Sequence, residues 1–117
     1  MAVRRIVLNI ATENIKAAQH FYGEILGLEV LMDQTWICTY GTDNKMRVQI
    51  SFATEGGSGT PVTDISIEVD DVDGIHVKMK DAGFPITYGP ANEPWGVRRF
   101  YVKNPFGKTV NILSHSS

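Results

Sequence analysis

Few residues in this chain are of types that do chemistry unaided. There is one cysteine, Cys38, and there are three scattered histidines, His20, His76 and His115. Asp64 and Glu68 share one face of an alternating segment, but about 13 Å of extended backbone separates residues four apart. That is too far for two carboxylates acting on one bond. No strand–loop–helix phosphate cradle, Gly-x-Ser-x-Gly elbow or Cys/His cluster occurs. What remains is a set of directed hydrogen-bonding groups at strand-like positions: Asn9; Arg47 and Gln49; Asp64 with Ser66 and Glu68; Thr109 and Asn111. Amides, hydroxyls and single carboxylates of this kind suit a concave binding surface. They also suit the wet face of an antiparallel sheet.

These groups need elements to position them. Residues 5–10 alternate, with Ile6, Leu8 and Ile10 on one side and Arg5, Val7 and Asn9 on the other, which predicts a strand. Thr12 is placed to cap a helix whose stripe is Ile15, Ala18, Tyr22 and Ile25, and Gly27 ends it. Strands are expected at about 28–32, 35–40 and 46–53. Glu55–Pro61 reads as a glycine-rich linker, after which the same order recurs. Ile65, Ile67 and Val69 alternate. Asp70 or Asp71 caps a helix with the stripe Val72, Ile75, Met79 and Ala82, ended by Gly83. Strands follow at about 85–88, 97–103 and 108–114, with Asn104–Gly107 as a hairpin turn.

The two halves superpose as sequences. Leu8–Ile10 matches Ile65–Ile67, Gly27 matches Gly83, and Val48–Ile50 matches Val110–Ile112. The expectation is an α+β fold of two tandem βαβββ modules forming a curved mixed sheet, with helices outside and a central cleft. The boundaries are about 4–54 and 61–115, joined by a linker at 55–60, within one domain over 1–117. In this scheme Ile6, Leu8, Ile10, Val48, Ile50, Phe52, Ile65, Ile67, Val69, Val110 and Ile112 lie under the helices. The polar groups named above line the trough.

A chain of 117 residues, 43% hydrophobic and 21% charged, is ordinary globular material for one core. The net charge of −2 offers no footprint for nucleic acid. No apolar run is long enough to span a bilayer, and the first residues lack a signal-peptide pattern. The expected setting is the cytoplasm.

The segment Val7–Gly27, with Phe21-Tyr22 and Leu26-Gly27-Leu28, and the ending Trp95–Gly107 resemble the vicinal oxygen chelate superfamily. That group holds lactoylglutathione lyase, extradiol dioxygenases and the fosfomycin- and bleomycin-resistance proteins. Its enzymes hold a divalent ion on inward residues of four strands. The resemblance places Val7, Gln49, Asp64 and Asn111 at those positions. Val7 has no donor, and two amides with one carboxylate make a poor transition-metal site. The chain is therefore nearest to the bleomycin-resistance branch, whose proteins sequester a drug in clefts shared with a second subunit. That resemblance implies a small-molecule ligand, a homodimer, no metal and no cofactor. The ligand-binding set it suggests is Asn9, Trp36, Arg47, Gln49, Asp64, Trp95, Arg98, Tyr101 and Asn111. Trp36 and Trp95 are open to a stacking or a packing role, and the face of 97–103 that lines the cleft is open too. Two alternatives stand beside this reading: a metal-dependent lyase, isomerase or dioxygenase with atypical ligands, and an interaction module with no ligand.

Overall fold

The computed structural model describes residues 5, 7–45 and 49–115. Its second half is one continuous βαβββ unit. Strand β3 (Ile65–Glu68) leads into helix α1 (Val72–Asp81), followed by β4 (Ile86–Glu93), β5 (Val97–Lys103) and β6 (Thr109–His115). These strands form a four-stranded sheet in the order β3-β6-β5-β4. The β3/β6 pair is parallel and the other two pairs are antiparallel, so the sheet is mixed. The parallel pair follows from the crossover through α1, and the antiparallel pairs from tight turns at 94–96 and 104–108.

Local chemistry fixes α1. Of the two candidate caps, Asp71 is the one used: its Oδ1 accepts a hydrogen bond from the Gly74 N–H at 3.0 Å. Asp73 in the first turn and Lys78 and Lys80 in the last complement the helix dipole. Gly83 follows with φ +85°, the left-handed geometry that ends a helix. Val72 and Met79 are buried and Ile75 packs against the core, whereas Ala82 is exposed at the C-cap.

The core lies between α1, the first helical segment and one face of the sheet. It holds Phe21, Ile25, Val72, Met79, Phe100, Val102, Val110 and Ile112, with Ile65, Ile67 and Val69 packed against it. The expected inward positions of the second half are therefore inward. Phe21, outside the predicted stripe, is fully buried and meets Phe84 edge-on at 5.0 Å between centroids.

The first half departs from expectation. A 3-10 turn (Ile15–Ala17) leads into a π-helical segment (Gln19–Ile25) rather than one α-helix. Thr12 does not cap it; its Oγ1 accepts from the Asn14 N–H at 3.0 Å, and Asn14 holds the N-cap position. Gly23 lies within the π segment. Strands β1 (Glu29–Gln34) and β2 (Ile37–Gly41) form a separate two-stranded sheet. The described residues of 5–10 and 46–53 are in no strand. Alternation creates a face but not the ladder that a strand needs, and among the described residues these segments join no ladder. Leu8, Ile50 and Phe52, expected under a helix, are 62%, 70% and 89% exposed. Ile6 and Val48 lie outside the described residues.

Candidate binding face on the four-stranded sheet

Alternation along β5 sets the site. Phe100 and Val102 point to the core, so Arg99, Tyr101 and Lys103 belong to the opposite face. This settles which face of 97–103 looks away from α1. Register then builds a row across all four strands, because Ser66 pairs with Asn111, Asn111 with Tyr101, and Tyr101 with Tyr88. The Tyr88 and Tyr101 rings lie 5.0 Å apart, and the Asn111 Nδ2 donates to Ser66 Oγ at 3.2 Å. The Asn111 Oδ1 is buried and has no hydrogen-bond partner among the described residues.

Arg99 is the centre of this face. Its side chain is 5% exposed and its Nη2 donates to Glu93 Oε2 at 2.8 Å, in a pair whose carboxylate side is 4% exposed. The guanidinium carbon lies 5.4, 5.0 and 4.9 Å from the ring centroids of Tyr88, Trp95 and Tyr101. Glu93 also accepts from Ser58 Oγ and Tyr88 OH, both at 2.9 Å. Burial would raise the Glu93 carboxyl. The two hydroxyls and the guanidinium outweigh it and hold the group below the usual carboxylate range.

The expected linker is a folded strap over this cluster. Gly56 N–H donates to Thr60 O at 2.7 Å and Thr60 N–H to Gly57 O at 3.0 Å, closing a tight loop. Arg99 donates from Nη1 to Gly56 O at 2.7 Å and from Nη2 to Gly57 O at 3.2 Å. Thr60 Oγ1 and Tyr101 OH are 2.7 Å apart. A glycine-rich composition predicts freedom, but these glycines permit close approach. A Cβ on Gly57 (φ +87°) would lie 2.6 Å from the Trp95 ring.

The residues expected at the site fall into three groups. Trp95, Tyr101 and Asn111 join the Arg99 face as described. Asn9 and Asp64 line a separate hollow of about 200 Å³ with Leu8, Ile10, Ile65 and Lys108. Asp64 Oδ2 there accepts from the Thr109 N–H at 2.8 Å. The others are elsewhere. Arg98 pairs with Asp73 of α1 at 2.8 Å, on the helix side of the sheet, because it shares parity with Phe100. Trp36, in the β1–β2 turn, is 72% exposed. Gln49 is exposed and in no strand, and Arg47 lies outside the described residues. Sequence reasoning missed Tyr88, Glu93, Arg99, Ser58 and Thr60. Parity with Tyr101 pointed to Arg99, and the turn at 94–96 sets Glu93 opposite Val97, one pair along the same face from Arg99.

The donor set does not fit a divalent ion. Val7 has no ligating atom, Gln49 is outside any strand, and Asp64 is engaged by the backbone of β6. Among the described residues no three His, Cys, Asp or Glu side chains gather as a metal site. The His115–Glu68 contact, at 2.8 Å, is exposed on both sides. The face presents aromatic rings and hydrogen-bonding groups.

Comparison with known proteins agrees with this architecture. The family model of the glyoxalase/bleomycin resistance protein/dioxygenase superfamily matches residues 4–112. The chain belongs to this superfamily. Its fold is shared with TnmS3, an antibiotic-binding protein from Streptomyces sp. CB03234, at 21% identity and a TM-score of 0.71 over 99% of each chain. A superfamily member from Sphaerobacter thermophilus DSM 20745 aligns at 19% identity and 0.66 over 98% of each chain. TioX from Micromonospora sp. ML1 aligns at 17% identity and 0.63 over 97% of each. At these identities the likeness is one of fold. No functionally curated protein matches the sequence significantly. Among the described residues no helix is long and apolar enough to cross a membrane.

Proposed function

We propose that this superfamily member binds a small molecule on the Arg99 face, without a metal ion, as a cytoplasmic homodimer. The observation that carries the reading is the Arg99–Glu93 pair set among Tyr88, Trp95 and Tyr101. A buried ion pair is weak evidence for stability, since desolvation offsets much of its attraction. Three rings and a satisfied carboxylate around one guanidinium make a rigid polar and aromatic surface, which is what ligand sites use. The antibiotic-binding role of TnmS3 supports the same reading. Metal independence is supported by the fate of the four positions: Val7 has no ligating atom, Gln49 is in no strand, and Asp64 accepts from the Thr109 N–H.

Small aromatic and thiol-containing metabolites screened by thermal shift test the proposal, with elemental analysis of the purified protein alongside. The expected result is a ligand that raises the melting temperature of protein free of stoichiometric metal. About one zinc, nickel, iron or manganese per chain, retained through dialysis, would favour the metal-dependent enzyme instead. A screen without any stabilising ligand would favour a plain interaction module.

A further inference from the structure

Three aromatic faces around one point ordinarily make a seat for a cation. Here the seat is taken by the protein itself. Arg99 occupies the space among Tyr88, Trp95 and Tyr101, and Glu93 balances its charge at 2.8 Å. A cationic ligand would meet a buried like charge, and an anionic one would compete with Glu93. What the cluster offers is N–H groups.

Two of its terminal N–H bonds go to the strap, at Gly56 O and Gly57 O. The Arg99 Nε is buried and has no acceptor among the described residues. The guanidinium is thus incompletely served by its present neighbours. The strap lies close against the aromatic group, with Gly57 beside the Trp95 ring. Two neutral carbonyl oxygens and a contact with the Trp95 ring are also what a small planar molecule would present. Of the strap's own side chains, Ser58 bonds to Glu93 and Thr60 to Tyr101, whose hydroxyl also lies 3.3 Å from Gly56 O. Its backbone passes through φ values of +87°, +53° and +75° at Gly57, Ser58 and Gly59. Ser58 is the one described non-glycine residue at positive φ, a conformation L side chains disfavour.

We propose that Glu55–Thr60 is a built-in occupant of the ligand site. The ligand that displaces it is an uncharged planar aromatic bearing acceptor oxygens, which take over the Arg99 N–H groups and stack on Trp95. This rests on the binding reading above and narrows it to a ligand class and a gate. A site closed by its own chain binds more weakly by the fraction of time it is open, so loosening the strap should tighten binding.

The test uses 2-acetonaphthone, with naphthalene and 2-naphthylmethylammonium as ring-matched controls, by calorimetry on the full chain. Gly57→Ala places a methyl group against Trp95 at positive φ and should expel the strap. The expected result is that 2-acetonaphthone binds Gly57→Ala about tenfold more tightly than wild type, as removal of a closed-state penalty requires. Both controls should bind more weakly than the ketone. In wild type the ketone should speed amide exchange across residues 56–60, because the Gly56 and Thr60 N–H groups lose their loop partners. If circular dichroism shows Gly57→Ala unfolded, Ser58→Ala takes its place, with a smaller gain of a few fold. Preference for the ammonium, or slower exchange of the strap on binding, overturns the inference. So does an unchanged affinity in a folded strap variant. If other molecules bind while these results fail, the gate alone is wrong; if nothing binds either form, the proposed function falls with it.

Discussion

Removing a guanidinium from water is costly, and Arg99 tolerates it through matched partners on several sides. Glu93 supplies the opposite charge, two strap carbonyls accept hydrogen bonds, and three aromatic rings lie within about 5.4 Å of the guanidinium carbon. The carboxylate has its own support from Ser58 and Tyr88. A pH dependence follows. Because the Glu93 carboxyl is held below its usual range when folded, the unfolded chain binds its proton more readily. Its contribution is complete above the unfolded-state value of about 4.3 and is lost as pH falls through the lower folded value. Glu93→Gln should be less stable than wild type at neutral pH and lose part of the acid-side slope, as melting temperatures from pH 7 to 3 would reveal. Parallel curves for the two proteins would place the slope on other carboxylates. Little of this was readable beforehand. Alternation assigns Arg99 to a face, but only the folded strap and the β4–β5 hairpin show that the face is closed over it.

At the scale of elements, the two halves are tied through the turn after β5. Asn104 is 4% exposed. Its Oδ1 accepts from the Phe106 and Lys108 N–H groups, and its Nδ2 donates to the Tyr22 hydroxyl, each at 2.9 Å. One amide thus shapes the hairpin and fastens it to the π-helical segment. Asn104→Ala leaves backbone donors and a hydroxyl without partners and should cost roughly 2–3 kcal/mol in urea unfolding. Tyr22→Phe, which removes only one of these contacts, should cost about 1 kcal/mol. Equal losses would mean that the turn carries none of the effect. In the core, Ile112→Ala should cost about 2–5 kcal/mol. Ile65→Ala should fall below it, since Ile65 is only partly buried. The second unit was legible because cap, stripe, C′ glycine and alternating strands all agree on one arrangement. Asp71, Gly83 and the inward set of β6 came through directly. The first unit has the same alternation, but the described residues of its outer segments join no ladder, and alternation cannot say which chain would supply a partner.

The whole molecule carries the consequence. Its accessible surface is 8480 Å², against about 6300 Å² for a compact monomer of this mass. Its radius of gyration is 14.6 Å, against about 13.4 Å for a compact domain of this length. Among the described residues most of the exposed large apolar side chains lie in the first half: Val7, Leu8, Val30, Leu31, Met32, Trp36, Ile50 and Phe52 are 41–89% exposed, against Val62, Val77 and Trp95 in the second. Monomeric proteins seldom leave so much apolar surface uncovered. A second copy would cover it at low cost, because a symmetric pair meets its own patch twice. If each chain buries about the excess, the total falls in the range of obligate homodimers. The same pairing would offer residues 7–10 and 49–53, which are in no strand here, a neighbouring edge to join. Sedimentation at tens of micromolar should therefore show a dimer. Ile50→Asp combined with Phe52→Asp should shift it to monomer without disturbing the second unit, because neither side chain belongs to the core of Phe100, Val102, Val110 and Ile112. A wild-type monomer at that concentration, or a double variant that stays dimeric, would remove the argument from surface excess.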